Sequence, residues 1–475
     1  MPFLSQIKRI NIPSLFWLVT IVLFLFYLNY PNIQNAGDVI EYYGTTESIL
    51  NHGGINLTPQ DKSALSSSIS PGYFNDNQYY LTGKNGEKYP VHFAGYSLMM
   101  VPMRLALRSI GQDERMTFVF TNLLILTLTV FYLFRYFVVK RWQQLLLLLG
   151  IYLSPFISFI SWPGPELMIM CLLLLSVFLL YKEQYLFALL FAVLATWQSQ
   201  PLIIIPFFYC LVALYAAITH KDIKMISAVV VVGGLVFIPN LLNILLFGTL
   251  SPWTLFSGKH LVSVSNITTQ KFLELFIDPN LGLVWYGPFL LMGGLIIIIK
   301  RASVDLKTAL LLTTLLLVAL AYETNANWNN GTAGFGPTRY IIFMIPYLIY
   351  FITTYLSKNL TSAIILGLTI VVQFLTLSVN GGLSPQFVNS LYHTPYSQYI
   401  LKTMPEWYNP TAEIFVERTL HTEPDSLIKA TYKEGTACFK TFVPQGQTEN
   451  SSSCLAQKKV SLFELSKGLY ISYGN

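Results

Sequence analysis

Charge is what this chain has least of. Only 11% of its 475 residues are Asp, Glu, Lys or Arg, where a water-soluble globule carries about 25%. A surface that poor in charge cannot face water on all sides. This excludes an ordinary soluble enzyme and, with 53% hydrophobic residues, makes the chain a polytopic membrane protein. Acids are scarcer than bases, 23 against 29, but the net charge of +6 does not argue for nucleic acid. The basic residues are spread between apolar segments, and no basic patch interleaves with aromatics. There are only four cysteines. Cys171 and Cys210 fall in apolar segments and read as buried thiols, whereas Cys438 and Cys454 fall in a polar tail. No phosphate-cradling glycine loop, nucleotide-binding motif or spaced metal-ligand set is visible, so neither cofactor nor metal is expected.

The chain has long apolar runs in abundance. Runs that span, or nearly span, a bilayer occur at about 13–30, 114–138, 143–161, 166–181, 185–199, 201–218, 225–247, 284–299, 307–322, 339–356 and 360–379, about eleven in all. The first follows Lys8 and Arg9 and has no small-residue cleavage site after it, so it reads as an uncleaved helix. The pair near 185–218 is divided only by Gln198-Ser199-Gln200-Pro201 and reads equally as one long kinked helix. Lys8 and Arg9 put the N-terminus in the cytoplasm. Alternation then brings Lys140-Arg141, Lys182, Lys221 and Lys224, Lys300-Arg301 with Lys307, and Lys358 to the same side, as the positive-inside rule requires.

The opposite face receives the long segments 31–113, 248–283 and 323–338, and a tail from about 381 to 475. The expected architecture is all-α and polytopic over 1–380, followed by a small extracytoplasmic C-terminal α/β domain. Within the first loop, Phe93–Ile110 is apolar but carries Arg104 and Arg108, and reads as a helix in the outer interface, an additional span being the alternative. In an oxidising compartment Cys438 and Cys454 would close a loop of about 15 residues by a disulfide worth roughly 3 kcal/mol, two free thiols being the alternative. No internal repeat is visible, which weakens a transporter built from inverted halves.

Four polar clusters lie on that outer face. Asp38 and Glu41, three residues apart, share a face if helical and offer a general base; solvated loop acids are the plain reading. His92 and Tyr96, with Arg104 and Arg108 beyond them, follow a turn permitted by Gly95. His92 reads as an anion ligand or as a simple helix cap. Lys259 and His260 precede the turn Asp278–Pro288, and are placed to meet a lipid phosphate. Trp328, Asn330 and Tyr340 flank a glycine-rich stretch that lets backbone approach a ligand, and Arg339 presents a fork of donors suited to phosphate. Interfacial snorkelling of Arg339 and an aromatic belt at Trp328 and Tyr340 are the structural alternatives.

In order, Gly37-Asp38, His92-Phe93-Ala94-Gly95-Tyr96-Ser97, Gly282-Leu283-Val284-Trp285-Tyr286-Gly287-Pro288 and Gly336-Pro337-Thr338-Arg339-Tyr340 resemble the motif series of GT-C type membrane glycosyltransferases that use polyprenyl-phosphate sugars. Two departures stand out. Ala94 replaces a frequent proline, and neither a second acid beside Asp38 nor a lumenal β-trefoil is visible, which argues against protein as acceptor. In layout the chain is similar to the phage-encoded serotype-converting O-antigen glucosyltransferases, with Cys438 and Lys458-Lys459 at matching positions. The resemblance implies a multi-pass protein of the bacterial inner membrane with a periplasmic active site and a periplasmic tail. It implies a polyprenyl-phosphate sugar as donor, glucose first, and a lipid-linked glycan such as O-antigen as acceptor. A donor synthase and a flippase would work beside it. Asp38 or Glu41 would be the base. Arg339, His92, Lys259 and His260 would hold the donor phosphate, with Tyr96, Trp328, Asn330, Tyr340 and Lys458 near substrate. A non-catalytic glycan or lipid translocase and an O-antigen polymerase are the alternative functions.

Overall fold

The computed structural model describes residues 11–29, 38–68, 80–252, 255, 263–300, 305–325, 328–329, 336–356, 359–379, 383, 390–424, 426–447, 454, 459–465 and 467–473. In chain order its helices begin with Ile12–Asn29 (α1), Val39–His52 (α2) and Pro59–Ser68 (α3). A two-stranded hairpin follows, Tyr80–Thr82 (β1) against Lys88–Pro90 (β2), then Gly95–Ser109 (α4). The apolar body comprises Thr117–Tyr136 (α5), Arg141–Tyr152 (α6), Glu166–Tyr181 (α7), Tyr185–Gln198 (α8), Ile204–Thr219 (α9), Ile223–Gly234 (α10) and Ile238–Phe247 (α11). It continues through Thr269–Ile277 (α12), Leu283–Tyr286 (α13), Pro288–Lys300 (α14), Leu306–Glu323 (α15), Ile345–Tyr355 (α16) and Leu360–Val379 (α17).

Six helical stretches are long and apolar enough to cross a membrane among the described residues: Ile12–Asn29, Glu114–Tyr136, Gln200–Thr219, Ile223–Phe247, Leu306–Glu323 and Leu360–Ser378. Their outward side chains are large and apolar, as at Val230, Val231, Leu368 and Val371. A band of that kind suits lipid and would drive aggregation in water. The expected count of about eleven is not met by helix length. The run 143–161 breaks at Ser154-Pro155, leaving α6 and a short 3₁₀ turn. The run 284–299 breaks at Gly287-Pro288, and 339–356 keeps a regular helix only from Ile345. Each break carries a proline, which removes a helix donor and clashes with the preceding turn. The pair near 185–218 is two helices, with Ser199 in extended backbone between them.

α7 is the bundle's central post. Leu167, Met170, Leu173, Leu174, Val177 and Leu180 are all fully buried, so the helix is apolar on every side. It packs against α5, α8 and α16. At the end of the bundle where α7 begins, α2, α3, the hairpin and α4 form a cap. Arg104 of α4 holds this cap together: its guanidinium lies 2.6 Å from Glu47 and 2.8 Å from Glu114, with Arg104 and Glu47 both buried. These contacts make Arg104 structural. Arg108 joins the same two acids from a more exposed position. Arg104→Leu leaves the buried Glu47 with only the more exposed Arg108 and is expected to destabilise the fold more than Arg108→Leu, which should cost no more than about 1 kcal/mol. Unfolding transitions of the two variants in detergent test this contrast.

After α17 the chain changes class. Pro395–Thr403 (α18) and Ala412–Leu420 (α19) pack on a four-stranded sheet of Ala430–Glu434 (β3), Ala437–Pro444 (β4), Lys459–Leu465 (β5) and Gly468–Tyr473 (β6). Its order is β3-β4-β6-β5 and every pairing is antiparallel. Phe442 and Tyr470 stand opposite each other in register and meet Leu401, Phe415 and Val416 from the helices. Cys438 and Cys454 are joined by a disulfide.

Candidate functional site

A cavity of about 750 Å³ opens where the cap meets the apolar body. Its walls carry Asp38, Glu166, His92, Arg339, Tyr322 and Tyr340, from five separate stretches of the chain.

Asp38 is the N-cap of α2, but its side chain makes no cap hydrogen bond. An N-cap aspartate usually accepts from the first turn; here the carboxylate, one third exposed, is turned to the cavity instead. Glu41 lies one turn on and is buried. It accepts from the backbone N–H of His92 at 2.5 Å and lies 2.7 Å from His92 Nδ1. His92 sits between β2 and α4, and its Nε2 is 3.7 Å from Asp38 Oδ2. Arg339 Nη1 is 3.9 Å from the same Asp38 oxygen and 3.7 Å from Glu166 Oε1. Those two contacts are longer than a hydrogen bond, and the guanidinium also bears on the Tyr340 ring.

Glu166 opens α7 after Trp162-Pro163-Gly164-Pro165 and is buried. A Cβ at Gly164 would collide with Glu166 Oε2, so glycine is what lets the carboxylate lie there. Around the acids, Tyr322 pairs with Ser199 (2.6 Å between hydroxyls), and Asn325 donates to the Tyr340 hydroxyl at 2.8 Å.

Burial works to lower the His92 pKa, but the Glu41 and Asp38 carboxylates and the Glu41 hydrogen bond outweigh it and lift the imidazole to about 9. Burial raises Glu41, opposed by His92. We take the ion pair, imidazolium on carboxylate, as the neutral-pH state, because Glu41 accepts two short hydrogen bonds from His92. The folded-state pKa of His92 lies above the ordinary value near 6.5. Its stabilising contribution is therefore complete below about pH 6.5 and fades as pH rises through about 9. The midpoint of thermal unfolding should fall over that window and fall less in His92→Gln; equal slopes in both proteins would contradict the pairing.

Asp38, Glu41 and His92 each bring one donor atom within 4.8 Å of the others, a spacing that accepts a divalent cation. Sequence reading expected no such set, because His92 lies some fifty residues from the acids. A cation held there by Asp38, Glu41 and His92 would compete with the proton that His92 shares with Glu41.

Of the residues singled out from sequence, Asp38, His92, Arg339 and Tyr340 line the cavity, and Glu41 stands directly behind His92. Tyr96 does not reach it: the residue is fully buried and its hydroxyl donates to Asn122 Oδ1 at 2.7 Å. Trp328 is also fully buried, stacked on Tyr340 with centroids 5.5 Å apart, so it supports the wall and is not on its surface. Lys259, His260, Asn330 and Lys458 lie outside the described residues. Sequence reading missed Glu166, Tyr42, Gln198 and Tyr322. Glu166 had a usable signal, an acid at the mouth of an apolar run.

No family model, curated protein or solved structure matches this chain.

Proposed function

We propose that this membrane protein is a GT-C type glycosyltransferase that moves a hexose, glucose first, from a polyprenyl-phosphate donor to a lipid-linked glycan such as O-antigen. The observation that carries the reading is the meeting of Asp38, His92 and Arg339 on one cavity at the end of an apolar bundle. A base and two cations are what an inverting displacement on a sugar phosphate requires. The proposal includes about eleven crossings in the bacterial inner membrane, the shorter apolar helices lying within the bundle. The cytoplasmic N-terminus and the periplasmic cavity and tail rest on the distribution of lysine and arginine between the apolar runs.

In the proposed step an acceptor hydroxyl gives its proton to Asp38 while its oxygen bonds to the anomeric carbon. The bond from that carbon to the phosphate oxygen breaks, and its electron pair leaves with the polyprenyl phosphate. Arg339 and the His92 imidazolium stand where that charge grows. Charge-assisted donors aimed at a leaving phosphate act most strongly in a site with little water. Glu41 is not the base in this scheme, because His92 occupies both its oxygens. It holds the imidazole in place and keeps it charged.

The test is a donor panel with purified protein in lipid vesicles and a lipid-linked glycan as acceptor. The expected product is heavier than the acceptor by one hexose, with inverted anomeric configuration. Movement of the donor across the bilayer without chemical change would replace this reading with that of a translocase.

A further inference from the structure

The C-terminal domain braces the segment behind the cavity wall through helix α19. Glu413, in the first turn of α19, accepts from the backbone N–H groups of Trp328 (2.6 Å) and Asn329 (2.8 Å) with a single oxygen. One turn further on, Glu417 accepts from the Asn329 side chain at 2.8 Å, and Arg418 donates to Asn329 Oδ1 at 2.7 Å. Residues at i, i+4 and i+5 of one short helix thus grip two consecutive residues 84 to 89 positions away. The grip continues inward. The Trp328 indole donates to Glu274 Oε2 at 3.1 Å, and its ring stacks on Tyr340 at an interplanar angle of 17°. Tyr340 carries the Arg339 guanidinium 5.7 Å from its ring centroid. Trp328 and Asn329 are buried, so the arrangement has no freedom to relax into solvent.

Resting on the function proposed above, we infer that Glu413 is a positioning residue: the C-terminal domain, through Glu413, fixes the Trp328–Tyr340 stack and thereby aims Arg339 at the donor phosphate. The tail is then part of the donor site and not an appendage. A carboxylate suits the task because one oxygen can take two adjacent main-chain N–H groups, the geometry of an anion held by a turn. Glutamine keeps that oxygen, alanine removes it, and aspartate keeps the charge but draws it back by one methylene.

The probe is polyprenyl phosphate without sugar, titrated against the full-length protein in lipid nanodiscs, with sugar transfer measured in parallel. Glu413→Ala is expected to weaken polyprenyl-phosphate binding about tenfold, Glu413→Asp to weaken it in the same direction, and Glu413→Gln to restore near-wild-type binding. In an Arg339→Ala background, Glu413→Ala should add little, because its effect passes through Arg339. Should Glu413→Ala fail to fold, Glu413→Asp carries the comparison. Wild-type binding left unchanged by Glu413→Ala or Glu413→Asp overturns the positioning role and leaves the transferase reading standing. Equal losses in the presence and absence of Arg339 also overturn it, since they mark a general loosening. Absence of wild-type binding overturns the function and this role together.

Discussion

Asp38→Asn should abolish most sugar transfer, lowering kcat by about 10²-fold or more while donor binding stays near that of the wild type. The substitution keeps the shape of the side chain and removes only its capacity to take a proton. Three features single out Asp38 among the acids of the cavity. It makes no cap hydrogen bond to its own helix. Its carboxylate is part-exposed on the cavity, whereas Glu41 is buried beneath His92. It also lies within 4 Å of both cations, at 3.7 Å from His92 and 3.9 Å from Arg339, so the proposed base and the groups proposed to hold the leaving phosphate share one end of the cavity. If Asp38→Asn instead weakens donor binding in proportion to the rate, Asp38 orients the cations and the base is elsewhere, with Glu166 the next candidate.

Arg339 is expected to show the second large effect. Arg339→Gln should lower kcat/KM by about 10²–10³-fold, the range for removing one preorganised donor from developing charge. Arg339→Lys should recover only part of it, because a point charge replaces a planar fork. The loss should appear in binding as well as turnover, since phosphate is present in both the ground and transition states. That pattern separates the two residues: a base mutant spares donor affinity and a phosphate-ligand mutant does not. Because Arg339 also faces buried Glu166 at 3.7 Å, Glu166→Gln in the same background controls for a stranded acid.

Much of the fold was legible because apolar length is a strong signal. The six long membrane-type stretches fall within about two residues of the expected runs at 13–30, 114–138, 201–218, 225–247, 307–322 and 360–379. What composition could not convey was how proline divides a run. Ser154-Pro155 and Gly287-Pro288 sit inside apolar stretches that hydropathy alone reads as continuous. The site was legible where a polar residue stood against the apolar pattern, as Asp38 and Arg339 do. It was illegible where tertiary packing decides exposure. Tyr96 lies in the outer-face helix α4 and Trp328 in a polar segment, and nothing local reveals that one donates to Asn122 and the other is pinned beneath Tyr340. The Glu41–His92 pair was hidden for a related reason. The chain between them goes through α3 and the hairpin, and only the cap's fold brings His92 back onto α2.

The measurement that bears most directly on the account is covalent capture of the donor. A photoreactive polyprenyl-phosphate hexose, cross-linked in vesicles and mapped by peptide mass spectrometry, is predicted to label the cavity segments around Asp38–Tyr42, Val91–Phe93 and Thr338–Phe343. Unlabelled donor should compete, and Arg339→Gln should reduce the yield. Labels confined to the lipid-facing sides of α10 and α17, unaffected by competitor or by Arg339→Gln, would contradict the assignment of this cavity as the donor site.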